Sequence, residues 1–106
     1  MKSALLNTMT RGWFIGNFDP SVLKTDSCEV GVKSYKAGDY ESGHFHKIAI
    51  EVTLILSGSV RMFNREWGAG DIIIIEPNDV TDFYAITDTV SVVVKIPGAI
   101  NDKYLV

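Results

Sequence analysis

Short runs of β-branched and aromatic residues, each closed by Gly, Asn, Asp or Pro, follow one another from Glu29 to Gly98. "EVGVKSYKAG" alternates and ends in glycine, "IAIEVTLILSGS" ends at Ser57-Gly58, and "VRMFNREWGAG" has the form of a hairpin turning at Asn64-Arg65. "DIIIIEPND", "VTDFYAITD" and "TVSVVVKIPG" complete the series. Strands of this length, punctuated roughly every 8–12 residues, specify an all-β sandwich or barrel. The run Ile72 to Ile75 does not alternate, which predicts a strand buried on both sides. A helical fold is disfavoured by the spread of glycine and the poor helix propensity of the β-branched runs. Only "PSVLKT", from Pro20, has the makings of a helical turn.

With 106 residues, the chain is expected to form one domain spanning 1–106, because two separate cores would each be marginal. The net charge of −3 and the scattered Lys and Arg argue against a nucleic-acid partner, which calls for a basic cluster. Nothing approaches the roughly 20 apolar residues of a membrane span, and the apolar run Ala4–Leu6 is too short for a signal-peptide core. Cys28 is the only cysteine. It fits a reducing cytoplasm, and its acidic neighbours make it a small strand residue rather than a nucleophile. The tail "GAINDKYLV" ends apolar and is expected to pack on its own core or on a second subunit. Trp13, Phe14 and Trp67 are read as core or dimer-contact aromatics, and a homodimer is expected.

Polar chemistry gathers in "GHFHKIAIE". His44 and His46 are two residues apart, so on a strand both imidazoles point to one face. Two imidazoles and a carboxylate suit Zn, Fe, Mn or Ni and leave coordination positions open. Glu51 is the nearby carboxylate, but five residues separate it from His46. On one unbroken strand it would face away, so the chain must turn or bulge within "KIAI", which has no Gly or Pro.

The span Gly38 to Gly58 resembles the first motif of the cupin superfamily, whose members are small double-stranded β-helix (jelly-roll) barrels. Gly38 is followed by "DYESG", then His44-Phe45-His46, "KIAI", Glu51, "VTLILS" and Gly58, matching the motif's gaps throughout. The resemblance implies that the histidines close one strand and Glu51 opens the next after a short turn. It further implies that His44, His46 and Glu51 hold a divalent metal ion. "GAGDIIIIEPNDVTDF" resembles the frame of the second motif, but Thr81 stands where that motif places a further His, and the chain has no third histidine. Asp82 could supply the missing ligand, or a proton-transfer group, only if the preceding turn were one residue longer. Thr81 would otherwise hydrogen-bond a metal-bound water or a ligand oxygen.

In that frame Thr81 and Phe83 face into the barrel and Asp82 faces out, while Glu51, Thr53 and Ile55 face in together. Tyr35 is placed at the pocket. Lys33 and Lys95 are read as solvent-facing strand lysines, because alternation alone does not fix their direction. The resemblance implies a small oxygen-rich ligand in the barrel. It also implies either a metal-dependent reaction of the isomerase, epimerase or dioxygenase kind, or binding and sensing without turnover.

Overall fold

The computed structural model describes residues 1–106 as ten strands and one 3-10 turn, Leu6–Thr8. The strands are β1 (Trp13–Ile15), β2 (Glu29–Tyr35), β3 (Tyr40–Phe45), β4 (Ile50–Ser57) and β5 (Ser59–Met62), followed by β6 (Arg65–Gly68), β7 (Ile72–Ile75), β8 (Thr81–Ala85), β9 (Thr89–Ile96) and β10 (Tyr104–Leu105). They form two five-stranded sheets in the orders β1-β2-β9-β4-β7 and β10-β3-β8-β5-β6, every pairing antiparallel. From β2 to β10, apart from the β5–β6 hairpin, consecutive strands alternate between the two sheets across a shared interior, as expected of a double-stranded β-helix.

Alternation assigns each strand's inner face. On β4, Thr53 and Ile55 are buried and Glu51 is partly so, and on β9 Thr89, Ser91 and Val93 are buried. Read along these strands, the interior divides into two ends. Ile55, Val60, Met62, Ile73, Ile75, Phe83 and Ala85 form one apolar cluster, with Tyr35, Phe63 and Trp67 packed against it. Burial of such side chains contributes roughly 1.5–3 kcal/mol each. Beyond the cluster the inner faces turn polar, and the barrel opens.

The β5–β6 hairpin turns one residue earlier than expected, at Phe63-Asn64. Both residues have φ near +50° to +60°, the left-handed pair of a two-residue loop that matches strand twist. Ile72–Ile75 is not buried on both sides. Ile73 and Ile75 face the core, but Ile72 and Ile74 are 61% and 62% exposed, because β7 is the last strand of its sheet and nothing lies over its outer face. No helical turn forms in "PSVLKT", where Ser21 instead donates its hydroxyl to the Leu23 carbonyl at 2.8 Å; the 3-10 turn lies earlier, where the Thr8 hydroxyl bonds the Leu5 carbonyl. No helix is long and apolar enough to cross a membrane.

The tail packs on its own chain. Tyr104 and Leu105 pair with Phe45 and His44, and the Tyr104 ring stacks on Phe45 at 5.5 Å. Just before them, the buried Asp102 carboxylate accepts the backbone N–H groups of Lys47, Ile48 and Ala49 at 2.9–3.2 Å. That anchor explains how "KIAI" turns without Gly or Pro: a carboxylate 53 residues from Ala49 satisfies the donors that the turn leaves without ladder partners.

Candidate functional site

The turn at residues 46–49 resets the alternation. His44 and His46 leave β3 on its inner side, and β4 begins at Ile50 with Glu51 on the inner face beside Thr53. All four line a cavity of about 270 Å³ at the polar end of the barrel. Tyr35, Thr81 and Phe83 line it as well, with the Tyr35 and Phe83 rings 4.4 Å apart across its floor.

The two imidazoles stand edge to face with centroids 5.8 Å apart. His44 Nδ1 lies 3.0 Å from the Ser42 carbonyl. A carbonyl oxygen only accepts, so Nδ1 carries the proton and Nε2 keeps its lone pair. His46 is buried, and its Nε2 is the one buried side-chain polar atom without a hydrogen-bond partner. Burial, and then the Lys95 and His44 charges, depress the His46 pKa from 6.5 to about 4, although Asp102 pulls it upward. At neutral pH the ring is therefore an uncharged base with an unused nitrogen. Burial raises the Glu51 pKa, against the Lys95 ammonium and the Thr53 hydroxyl, which donates to Oε2 at 3.2 Å.

These features fit a divalent cation at the imidazole end. His44 and His46 each offer a nitrogen, and a Ser42 carbonyl behind His44 is the kind of outer partner that fixes a ligating ring. The carboxylate does not yet complete the set, since no three His, Cys, Asp or Glu side chains stand together at metal-binding separation. Thr81 adds no donor. Its hydroxyl accepts the Phe63 N–H at 3.0 Å and spends its one proton on the Asp82 carbonyl at 2.7 Å, so it has no proton left to donate to a ligand oxygen.

Asp82 lies on the opposite face of β8 from Thr81 and Phe83, outside the cavity, where it accepts the Tyr40 hydroxyl at 3.3 Å. The β7–β8 turn is not lengthened in the way an inward Asp82 requires, and a proton-transfer role inside the barrel is lost with it.

Three features of the cavity escape the sequence pattern. Glu41 joins the lining because β3 bulges between Glu41 and His44: Glu41 pairs with Phe83 and His44 with Thr81, three steps against two. Its Oε1 accepts the Tyr35 hydroxyl at 3.2 Å, and burial, with this neighbouring carboxylate, pushes the Tyr35 pKa well above the usual phenol value. Lys33 and Lys95 also line the cavity rather than facing solvent, which corrects the expectation for both. Lys33 shares the parity of Tyr35, and Lys95 that of Ser91 and Val93, so both follow faces that the structure turns inward. Trp13 belongs to the same lining rather than to the apolar core, with both ammonium groups over its ring.

No protein-family model matches the sequence, and no curated protein matches it. Solved structures do. The chain is similar to an uncharacterised double-stranded β-helix protein from Klebsiella pneumoniae (TM-score 0.70, 25% identity, 79% of this chain and 74% of that one). It is similar in fold to Pac13, a nucleoside dehydratase of Streptomyces (TM-score 0.68, 20% identity, 77% and 70%). KdgF from Halomonas sp. matches with a TM-score of 0.62 and 15% identity over 69% and 72% of the two chains. With its two alternating antiparallel sheets and these neighbours, the chain has the double-stranded β-helix fold of the cupin superfamily.

Proposed function

We propose that the polar end of the barrel binds a small oxygen-rich molecule next to a divalent metal ion held by His44 and His46, with Glu51 drawn in to complete the set. The observation that carries this reading is the buried, unpartnered Nε2 of His46, a residue that lines the same cavity as His44. Leaving a buried acceptor unused costs on the order of 1–3 kcal/mol, a cost that a ligated cation removes. A bound metal would supply Lewis-acid polarisation of a ligand oxygen. The chain's own residues do the rest: Phe83 and Tyr35 wall the floor, and Glu51 and Glu41 place two carboxylates within the cavity. A metal-dependent isomerase, epimerase or dioxygenase reaction fits this lining, and the solved neighbours include a nucleoside dehydratase and a DMSP lyase.

Elemental analysis of protein purified without a His-tag tests the metal: close to one ion per chain is expected, and loss of it in His44→Ala/His46→Ala. Unchanged metal content in that variant would remove the proposed ligands. Binding without turnover is the second reading, favoured by Thr81, whose hydroxyl is committed to backbone, and by Asp82, which lies outside the cavity. It predicts stabilisation by a ligand recovered chemically intact, and a product detected by mass spectrometry would eliminate it. The lone Cys28 supports a cytoplasmic location.

We propose in addition that the chain forms a homodimer through the outer face of the β2-β9-β4-β7 surface. The outward positions of β4, β7 and β9 are all Val, Ile or Leu, and Ile50, Leu56, Ile72, Ile74 and Ile96 are exposed. Without a charged side chain, this face is complementary to itself. These five aliphatic side chains are 42–62% exposed on one sheet face, the kind of apolar patch that marks a protein–protein contact. Sedimentation should show a dimer that Ile72→Lys/Ile74→Lys converts to a folded monomer; a monomeric wild type at micromolar concentration would refute it.

A further inference from the structure

Arg11, Lys33 and Lys95 all line the cavity, and none of them has an ion-pair partner. The chain's ion pairs are Lys24–Asp19, Arg61–Glu66 and Lys103–Glu41. Lys33 and Lys95 approach inward from β2 and β9, with Nζ atoms 5.3 Å and 5.1 Å from the centroid of the Trp13 ring. The Trp13 ring can lie there because position 31 is glycine: a Cβ on Gly31 would stand 2.8 Å from Trp13 Cε3. Lys33 Nζ also donates to the Arg11 carbonyl at 3.3 Å, which holds the segment bearing the third cation against the recess.

Gathering three like charges opposes folding. The Lys33 ammonium is depressed by burial first, and then by Arg11, Lys95 and Lys103, with only Glu41 acting against them. Glu51 is the cross-strand neighbour of Lys95, yet its carboxylate is engaged by the Thr53 hydroxyl and forms no ion pair with the lysine. An indole face steadies the two ammonium groups by cation–π attraction but does not neutralise them. A bound oxyanion would do so, accepting hydrogen bonds from both ammonium groups while the guanidinium closes over it.

We propose that Arg11, Lys33 and Lys95 form an oxyanion recess that takes the carboxylate or phosphate group of the cavity's ligand. This deepens the reading of the cavity as a ligand site and does not depend on a metal at the imidazole end. The ligand is then a small organic anion, with its charged group over Trp13 and its remaining oxygens directed toward His44 and His46.

Isothermal titration of chelator-treated protein with malonate and, separately, with inorganic phosphate at low ionic strength tests the recess without any metal. Saturable binding by either anion is expected, weakening as NaCl rises. Lys33→Gln/Lys95→Gln should weaken it at least tenfold, and Lys33→Arg/Lys95→Arg should retain most of it. Malonate alone binding would identify a carboxylate recess, and phosphate alone a phosphate recess. No saturable binding by wild-type protein, or equal binding by wild type and the glutamine variant, would overturn the proposal. The wild-type arm decides even if the glutamine variant fails to fold. Metal uptake by the wild-type protein is read in parallel: its absence would count against the metal reading and leave the recess standing, and the reverse holds equally.

Discussion

Replacing Asp102 should loosen the turn that brings the metal-type residues to one cavity. Its carboxylate accepts three backbone N–H groups, from Lys47, Ile48 and Ala49. Ala49 is buried, at 1% exposure, so in Asp102→Ala its N–H would lose its partner with no water to replace it. That orphaned donor costs roughly 1–3 kcal/mol, while exposed Lys47 and Ile48 recover most of their bonding from solvent. We expect Asp102→Ala to lower unfolding stability by about 3 kcal/mol in urea at neutral pH, and Asp102→Asn, which keeps one acceptor oxygen, by about half of that. The pH dependence follows from the charge. Burial alone would raise the Asp102 pKa, but the Ala49, Lys47 and Ile48 N–H groups outweigh it and hold it below the usual value. A carboxylate with a depressed folded pKa stabilises fully above its unfolded pKa of about 3.9, and that stabilisation disappears as pH falls through the lower folded value. The gap between wild type and Asp102→Asn should therefore be flat from pH 5 upward and shrink only in strong acid. An Asp102→Ala variant within about 0.5 kcal/mol of wild type would refute the anchoring role.

Two further predictions concern the same framework. Gly58 and Gly38 both have positive φ, +88° and +93°, but a Cβ on Gly58 would stand 2.2 Å from the Asp88 carbonyl oxygen whereas Gly38 faces open space. Gly38→Ala should cost only the left-handed backbone penalty of roughly 1–2 kcal/mol, and Gly58→Ala clearly more; equal midpoints in urea would contradict the steric account. In metal-free protein, His46 should make folding acid-sensitive. Its folded pKa is depressed from 6.5 to about 4, so the unfolded chain binds the extra proton and stability drops as pH falls through that window. The loss, up to roughly 3 kcal/mol, should be missing from His46→Gln, and parallel stability profiles for the two proteins would rule it out.

Much of the site was legible because strand alternation and the Gly38–Gly58 spacing act locally. His44, His46, Glu51, Thr53, Tyr35 and Phe83 all line the cavity as expected. What escaped was set by contacts distant in sequence or by breaks in the period. Asp102 has no local mark as a turn anchor, since the donors it serves are more than fifty residues away. Glu41 reaches the cavity through a bulge, and a bulged strand cannot be read by parity. Lys33 and Lys95 escape for another reason: period two sorts a strand into two faces without saying which is inward, and inward polar residues invert the usual rule. In Ile72–Ile75 an unbroken apolar run marks a strand whose outer face is left uncovered within the single chain.

Titration calorimetry of metal-stripped, tag-free protein with Zn²⁺ or Mn²⁺ bears most directly on the two imidazoles as a metal centre. The account predicts saturation near one ion per chain for at least one of these ions, abolished in His44→Ala/His46→Ala and weakened in Glu51→Gln. Absence of saturable binding, or equal binding by the double-histidine variant, would contradict it.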